Sequence, residues 1–174
     1  MIHTQHEKYF FYEYLAGITE NGTHPEQYIK CYRNFAAMIT GKDYHSSDYI
    51  WDYLSYYNFF QKHVGKGSKG KEYINEELIE NSRKGYLEVI KILKPDLVIA
   101  WGRTLLYYDW VPQEDCDYIN EKEFLYRYTS MPNTAIWHIN HPSQGFSYDA
   151  WHEEFLERLK EINIDISGIV NKEP

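Results

Sequence analysis

The chain is short of cysteine, of positive charge and of long apolar runs. Cys31 and Cys116 are its only cysteines, too few for a disulfide framework or for a zinc site with paired thiolates. A reducing, cytoplasmic setting is the expectation. Lysine and arginine total 18 against 26 aspartates and glutamates, a net charge of −8. That balance excludes a general nucleic-acid coat protein, which would be basic overall. It leaves open a local basic groove, or an acidic surface that competes with nucleic acid for a basic partner. The longest apolar runs, such as residues 97–101, fall far short of the ~20 residues that span a bilayer, so no membrane partner is expected. Residues 1–20 carry no apolar core flanked by a cleavage site, so no secretory signal is read there. Internal repeats and low-complexity linkers are also missing.

What the chain has in excess is aromatic rings: 18 tyrosines, 8 phenylalanines and 5 tryptophans make up 18% of it. Aromatics stack on nucleobases, and they also fill cores and interfaces. A length of 174 residues suits one domain, residues 1–174, with a proper core. Apolar spacing predicts helices over residues 5–17 and 23–38, the second with Pro25 in its first turn, Tyr28, Tyr32, Phe35 and Ile39 along one face, and Gly41 as its stop. Residues 48–53 read as a short helix or turn, and residues 54–60 as a strand because of their aromatic content. A basic loop at 62–71 precedes a long helix over 75–93. Asn75 suits its N-cap, Leu78, Ser82, Tyr86, Val89 and Leu93 trace one face, and Pro95 ends it. Residues 97–101 read as a buried parallel strand, 103–108 as a short helix, 109–133 as irregular and acidic, 134–139 as a strand and 148–162 as the last helix. Strands alternating with helices predict a three-layer α/β/α sandwich with a mostly parallel central sheet.

Two segments carry the functional content. Lys94-Pro95-Asp96-Leu97-Val98-Ile99-Ala100-Trp101-Gly102 and His138-Ile139-Asn140-His141-Pro142-Ser143-Gln144-Gly145-Phe146 are each a short apolar strand that stops at a polar or glycine-containing loop. In open α/β sheets, ligands bind where such loops leave the carboxyl ends of strands. A third segment, Gly65-Lys66-Gly67-Ser68-Lys69-Gly70-Lys71-Glu72, nearly fits a phosphate-binding loop. Glu72 stands where a serine or threonine must meet magnesium, so a solvated loop is the first reading and contact with a nucleic-acid backbone the second. His138, His141 and His152 are poorly spaced for a metal and have no evident carboxylate or cysteine partner. Neither a metal nor a cofactor is expected.

These residues resemble the uracil-DNA glycosylase superfamily, in particular its divergent bacterial branch. The similarity runs from about residue 51 to 155 and is anchored by Trp51-Asp52-Tyr53-Leu54-Ser55-Tyr56-Tyr57-Asn58-Phe59-Phe60-Gln61, by residues 95–102 and by His141-Pro142-Ser143. In that superfamily a strand-end asparagine hydrogen-bonds the flipped base, a place Asn58 matches. The histidine of the His-Pro-Ser loop stabilises the departing base, a place His141 matches, and loop serines grip phosphates, as Ser143 would. The branch opens with a Gly-Glu-Ser-His-type segment holding the water-activating residue, and this chain has none. The resemblance therefore implies a glycosylase-like sheet without its first strand, and a sheet edge open to a second copy or a protein partner.

Cleaving an N-glycosidic bond requires a donor for charge developing on the base, an amide that reads the base edge, and loops that hold the nucleotide out of the stack. His141 is the catalytic candidate, with capping of a helix or of backbone as its plain alternative. Asn58 and Trp101 are the base-binding candidates. The alternative for Asn58 is a turn residue, and for Trp101 a place in the core. Ser143 and the lysines Lys66, Lys69 and Lys71, helped by Lys62, are the phosphate-binding candidates. Asp48 and Asp52 are the carboxylates available to activate water. Three functions remain in view. One is a glycosylase or a relative acting on a modified base. Another is a glycosylase-like module that binds nucleic acid or a nucleotide without turnover. The last is an inhibitory or interaction module acting through its edge and tyrosines.

Overall fold

The computed structural model describes residues 26–43, 46–60, 74–143 and 145–171, with side chains from residue 30 onward. The helix expected over 5–17 and the basic loop at 62–71 lie outside these residues. The chain divides into two units, Met1–Ser55 with Ile139–Pro174, and Tyr56–His138. The first is helical among its described residues, and the second carries the sheet.

In the helical unit, α1 spans Glu26–Thr40. Phe35, Ala36, Ala37, Met38 and Ile39 are all buried, so the end of α1 is surrounded rather than faced on one stripe. Gly41 stops it: its φ is +64°, and its N–H donates to the Ala37 carbonyl at 2.8 Å, a left-handed helix end that suits glycine. A 3₁₀ turn at Asp48–Asp52 buries Ile50 and Trp51. The Trp51 indole meets Tyr32 and Phe35 of α1, with centroids 5.8 and 5.7 Å apart. The Tyr49 hydroxyl donates to the Val170 carbonyl at 2.7 Å, tying this turn to the short C-terminal helix. The helix expected over 148–162 forms with those bounds, Tyr148–Ile162; of the expected face of Trp151, Phe155, Leu159 and Ile162, the last three are buried and Trp151 is half-buried.

In the sheet unit, α2 spans Glu76–Leu93 and is capped as expected: Asn75 Oδ1 accepts from the Leu78 N–H at 2.9 Å, an interaction worth about 1 kcal/mol. Its buried residues are Ser82, Tyr86 and Ile90. The face therefore follows an i, i+4 line and leaves Leu93 exposed, where a turn through Val89 and Leu93 was expected. β1 (Leu97–Trp101) leads into α3 (Thr104–Tyr107). β2 (Cys116–Asn120), β3 (Leu125–Tyr128) and β4 (Met131–Ile139) complete a sheet in the order β1-β4-β3-β2.

The architecture is α/β with a four-strand mixed sheet. The expectation of a mostly parallel sheet is corrected: β1 and β4 form its one parallel pair, and β4–β3 and β3–β2 are antiparallel. The cause lies in residues 109–133, for which the sequence predicts irregular chain: Cys116–Asn120 and Leu125–Tyr128 within them form the β2–β3 hairpin, and β4 begins at Met131. Asp117 pairs with Arg127, and Tyr118 with Tyr126. The hairpin turn contains no glycine. Phe124 takes the left-handed conformation itself, with φ 54°, and the Arg103 guanidinium sits over its ring at 4.7 Å, a cation–π contact that holds an otherwise costly turn residue. The strand expected at 54–60 is also corrected. No strand forms there, because Tyr57 and Phe59 pack sideways onto the core of Tyr86, Ile90, Val111, Tyr126, Tyr128 and Ile136. Their β preference reflects packing, which the core satisfies without a ladder. Among the described residues β1 is an edge strand, half-buried where full burial was expected.

A Cβ placed on Gly41 would lie 2.5 Å from His152 Nε2, so Gly41→Ala carries both backbone strain and a clash. It should lower stability in urea titrations by about 1–3 kcal/mol. In a His152→Ala background only the backbone part of that loss should remain, as at Gly102, where φ is +91° and nothing lies within 4 Å.

Candidate functional site

The sheet unit brings two of the expected base-binding residues together through a third. Tyr56 follows directly on the helical unit's Ser55, in an irregular segment that the packing of Tyr57 and Phe59 holds against the core. Its hydroxyl donates to Asn58 Oδ1 at 2.9 Å. Its ring meets that of Trp101, the last residue of β1, at 5.6 Å and 54°. Asn58 is exposed and Trp101 half-buried. Trp101 therefore stands at the carboxyl end of the parallel strand and partly open, where the core alternative would have enclosed it. The role of Tyr56 was missed in the sequence, although the spacing could have pointed to it: in extended chain, residues i and i+2 share a face.

Next to this end of β1, Arg103 leads into α3 and clamps Phe124, and the Phe124 carbonyl accepts from the His138 N–H at 3.2 Å. His138 is fully buried. Its ring stacks on Tyr126 at 5.8 Å and 17°, and its Nε2 shares a hydrogen bond of 3.1 Å with the Tyr126 hydroxyl. Burial, and then the nearby positive charge of Arg103, push its pKa down to about 3. The imidazole is neutral across the physiological range and serves the core.

The helical unit holds the remaining candidates. The loop after β4 is built from two successive turns. The Ser143 N–H donates to the His141 carbonyl at 2.7 Å, a turn centred on Pro142, and the Phe146 N–H donates to the Ser143 carbonyl at 3.2 Å. Gly145 supplies a φ of +82° in the second. Behind the loop, buried Asn34 of α1 donates from Nδ2 to the Pro142 carbonyl at 3.1 Å. Pro142 is buried while His141 reaches solvent. Partial desolvation nonetheless holds the His141 pKa below the usual histidine value, so the ring is mostly neutral at pH 7 and can donate an N–H without carrying charge. Ser143 is half-buried within the turn pair. Phe146 of the loop stacks on Trp151 of the helix that follows, at 5.5 Å and 2°.

Lys62, Lys66, Lys69 and Lys71 lie outside the described residues. Of the two carboxylates considered for activating water, Asp48 is engaged by Arg33 at 3.5 Å. Asp52 is exposed at the end of the 3₁₀ turn. Among the described residues no group of three histidines, cysteines or carboxylates could hold a metal ion. His138 is committed to Tyr126, and the His152 ring donates from Nδ1 to the Met38 carbonyl at 2.7 Å. Both cysteines are free thiols. Cys116 is pushed up to about 11 by burial, with Asp115 and Glu114 adding to the effect, which makes it a poor nucleophile. No described helix is long and apolar enough to cross a membrane. No family model, no curated protein and no solved structure matches the chain.

His138 ties stability to pH. Its folded pKa, about 3, lies below the ordinary 6.5, so the unfolded chain takes up the proton first. The contribution of the neutral ring is complete above pH 6.5 and shrinks as pH falls toward 3, by up to about 1.4 kcal/mol per unit. Urea midpoints measured at pH 7 and pH 5 should therefore diverge less in His138→Phe than in the parent. Equal divergence would show that another group carries the slope.

Proposed function

We propose that this chain is a uracil-DNA-glycosylase-like protein that binds a nucleobase, in nucleic acid or as a nucleotide, and hydrolyses its N-glycosidic bond. The proposal extends to a glycosylase-like three-layer arrangement of the α/β fold. The observation that carries it is the double contact of Tyr56, which gathers Asn58 and Trp101 at the end of the parallel strand, the place where open α/β sheets take ligands.

In this reading Trp101 and Tyr56 offer ring faces to the base and Asn58 reads its edge. The Tyr56 hydroxyl occupies a lone pair of Asn58 Oδ1 and so orients the amide NH₂ away from that contact. An amide presented by its N–H groups favours a base edge bearing a carbonyl over one bearing an amino group. A neutral His141 can donate an N–H to a base as its C1′–N bond breaks and the bonding electron pair moves onto that base. Water then adds at C1′ and its proton goes to the departing base, giving a neutral free base and an abasic sugar. A neutral donor aimed at developing negative charge is effective where water is partly excluded. Ser143 holds phosphate from the loop. The engagement of Asp48 by Arg33 favours a second reading, in which the same site binds without turnover.

Abasic-site formation on single- and double-stranded oligonucleotides containing uracil or hypoxanthine separates the two. A working glycosylase should lose about 100-fold or more in His141→Ala. It should lose a further interaction's worth, about five- to tenfold, in Tyr56→Phe, which keeps the ring and removes the hydroxyl. Salt-dependent binding of the same oligonucleotides without cleavage would support the binding module. Neither binding nor cleavage would overturn the nucleobase reading.

A further inference from the structure

We propose that Asn34 is the positioning residue of the His141 loop, setting the backbone from which the imidazole projects. The proposal rests on the reading of His141 as the group that faces the base.

Asn34 interrupts a buried apolar stretch. Cys31 precedes it, Phe35 to Ile39 follow it, and only 3% of Asn34 itself is exposed. A polar amide at such a position is costly unless its hydrogen bonds are made. Its bond reaches 108 residues along the chain, to the Pro142 carbonyl. That carbonyl needs an outside donor because of how the loop is built. The turn centred on Pro142 closes through the His141 carbonyl and the Ser143 N–H. The carbonyl of a turn's central residue takes no part in closing it. Pro142 is among the fully buried side chains, so Asn34 stands in for water.

The same face of α1 secures the other end of the loop. Met38 lies one helical turn beyond Asn34. Its carbonyl, among the last of the helix and so without an intrahelical partner, accepts from His152 Nδ1 at 2.7 Å. His152 belongs to the helix that the loop enters, Tyr148–Ile162. A side-chain donor at position 34 and a main-chain acceptor at position 38 thus hold the chain at Pro142, directly after the exposed Asn140 and His141, and again at His152. His141 is the residue immediately preceding the anchored Pro142. Its side chain reaches solvent while its backbone is tied from behind, an arrangement in which a donor is held in place without being enclosed.

The test uses the full chain with Asn34→Leu, which removes the donor, and Asn34→Asp, which keeps the shape and replaces the donor with an acceptor. Asp serves where Leu does not fold. The first readout is the carbon–proton NMR signals of the histidine rings. The His141 signals should move toward those of a histidine in a flexible peptide, while the core His138 signals stay in place. The second is kinetic: kcat should fall about tenfold, with KM within about twofold. In a His141→Ala background, Asn34→Leu should cost nothing further. Unchanged His141 signals in a folded variant would overturn the proposal, as would the same kinetic loss with and without His141. Should the parent cleave no oligonucleotide, the glycosylase reading fails, and the NMR signals still decide the role of Asn34.

Discussion

A chain so rich in tyrosine meets one constraint wherever it packs: each tyrosine ring drawn inside brings a hydroxyl that is costly to leave unpaired there. Leaving such an atom unpaired costs about 1–3 kcal/mol, a large share of the stability of a domain this size. In the sheet unit, Tyr86, Tyr126 and Tyr128 are all buried in one cluster. Tyr126 bonds His138 and Tyr128 donates to the Pro112 carbonyl at 2.9 Å, while the Tyr86 hydroxyl is buried without a hydrogen-bond partner among the described residues. Burial pushes all three phenols above their ordinary range, so they stay neutral and act as fixed dipoles. The β2–β3 hairpin supplies two of these rings, Tyr126 and Tyr128 on β3, and the register with β4 shifts between Arg127 and Tyr128, so Tyr126 lies opposite Ile136 and Tyr128 opposite Met131.

The helical unit meets the same requirement with other groups. The Thr40 hydroxyl donates to the Ala36 carbonyl at 3.0 Å and lies 2.7 Å from the Ser47 hydroxyl, so two small polar residues close the passage from α1 to the 3₁₀ turn. Arg158 is 4% exposed, and Glu154, Glu157 and Glu161 of its own helix surround it at 3.8, 3.1 and 3.1 Å. A buried guanidinium without such partners would be strongly destabilising. Here all three glutamates lie along one face of the same helix.

Much of this was legible in the sequence where one local rule decides. Asn75 before two glutamates and an apolar run marks a helix start, and Gly41 and Pro95 mark helix ends. The last helix has an apolar spacing that no other pattern fits. Legibility fails where tertiary contacts override local preference. Residues 121–124 carry no turn glycine, and the hairpin there is held by the Glu121 carbonyl accepting from the Phe124 N–H, by the β2–β3 ladder and by the Arg103 guanidinium over Phe124. Acidic residues flanking β2 conceal its strand character. Among the candidate residues, His141, Asn58, Trp101 and Ser143 stand out by residue type and by the strand-to-loop pattern. Tyr56 and Asn34 do not, because one tyrosine among 18 and one asparagine in a helix acquire their roles only from what they touch.

The two histidines flanking the end of β4 show how residue type underdetermines role. His138 and His141 are three positions apart, and burial lowers the pKa of both. The effects differ because one ring is sealed and the other is open. His138 has a stacked and hydrogen-bonded tyrosine and no access to solvent, so its proton equilibrium can act only through folding. His141 projects from an anchored turn into solvent, so its equilibrium stays available to a ligand. The same residue type therefore plays two different parts three positions apart, one sealed in the core and one at the surface. The switch between them falls where the strand, which must fill its interior, gives way to the turn, which leaves a side chain outside.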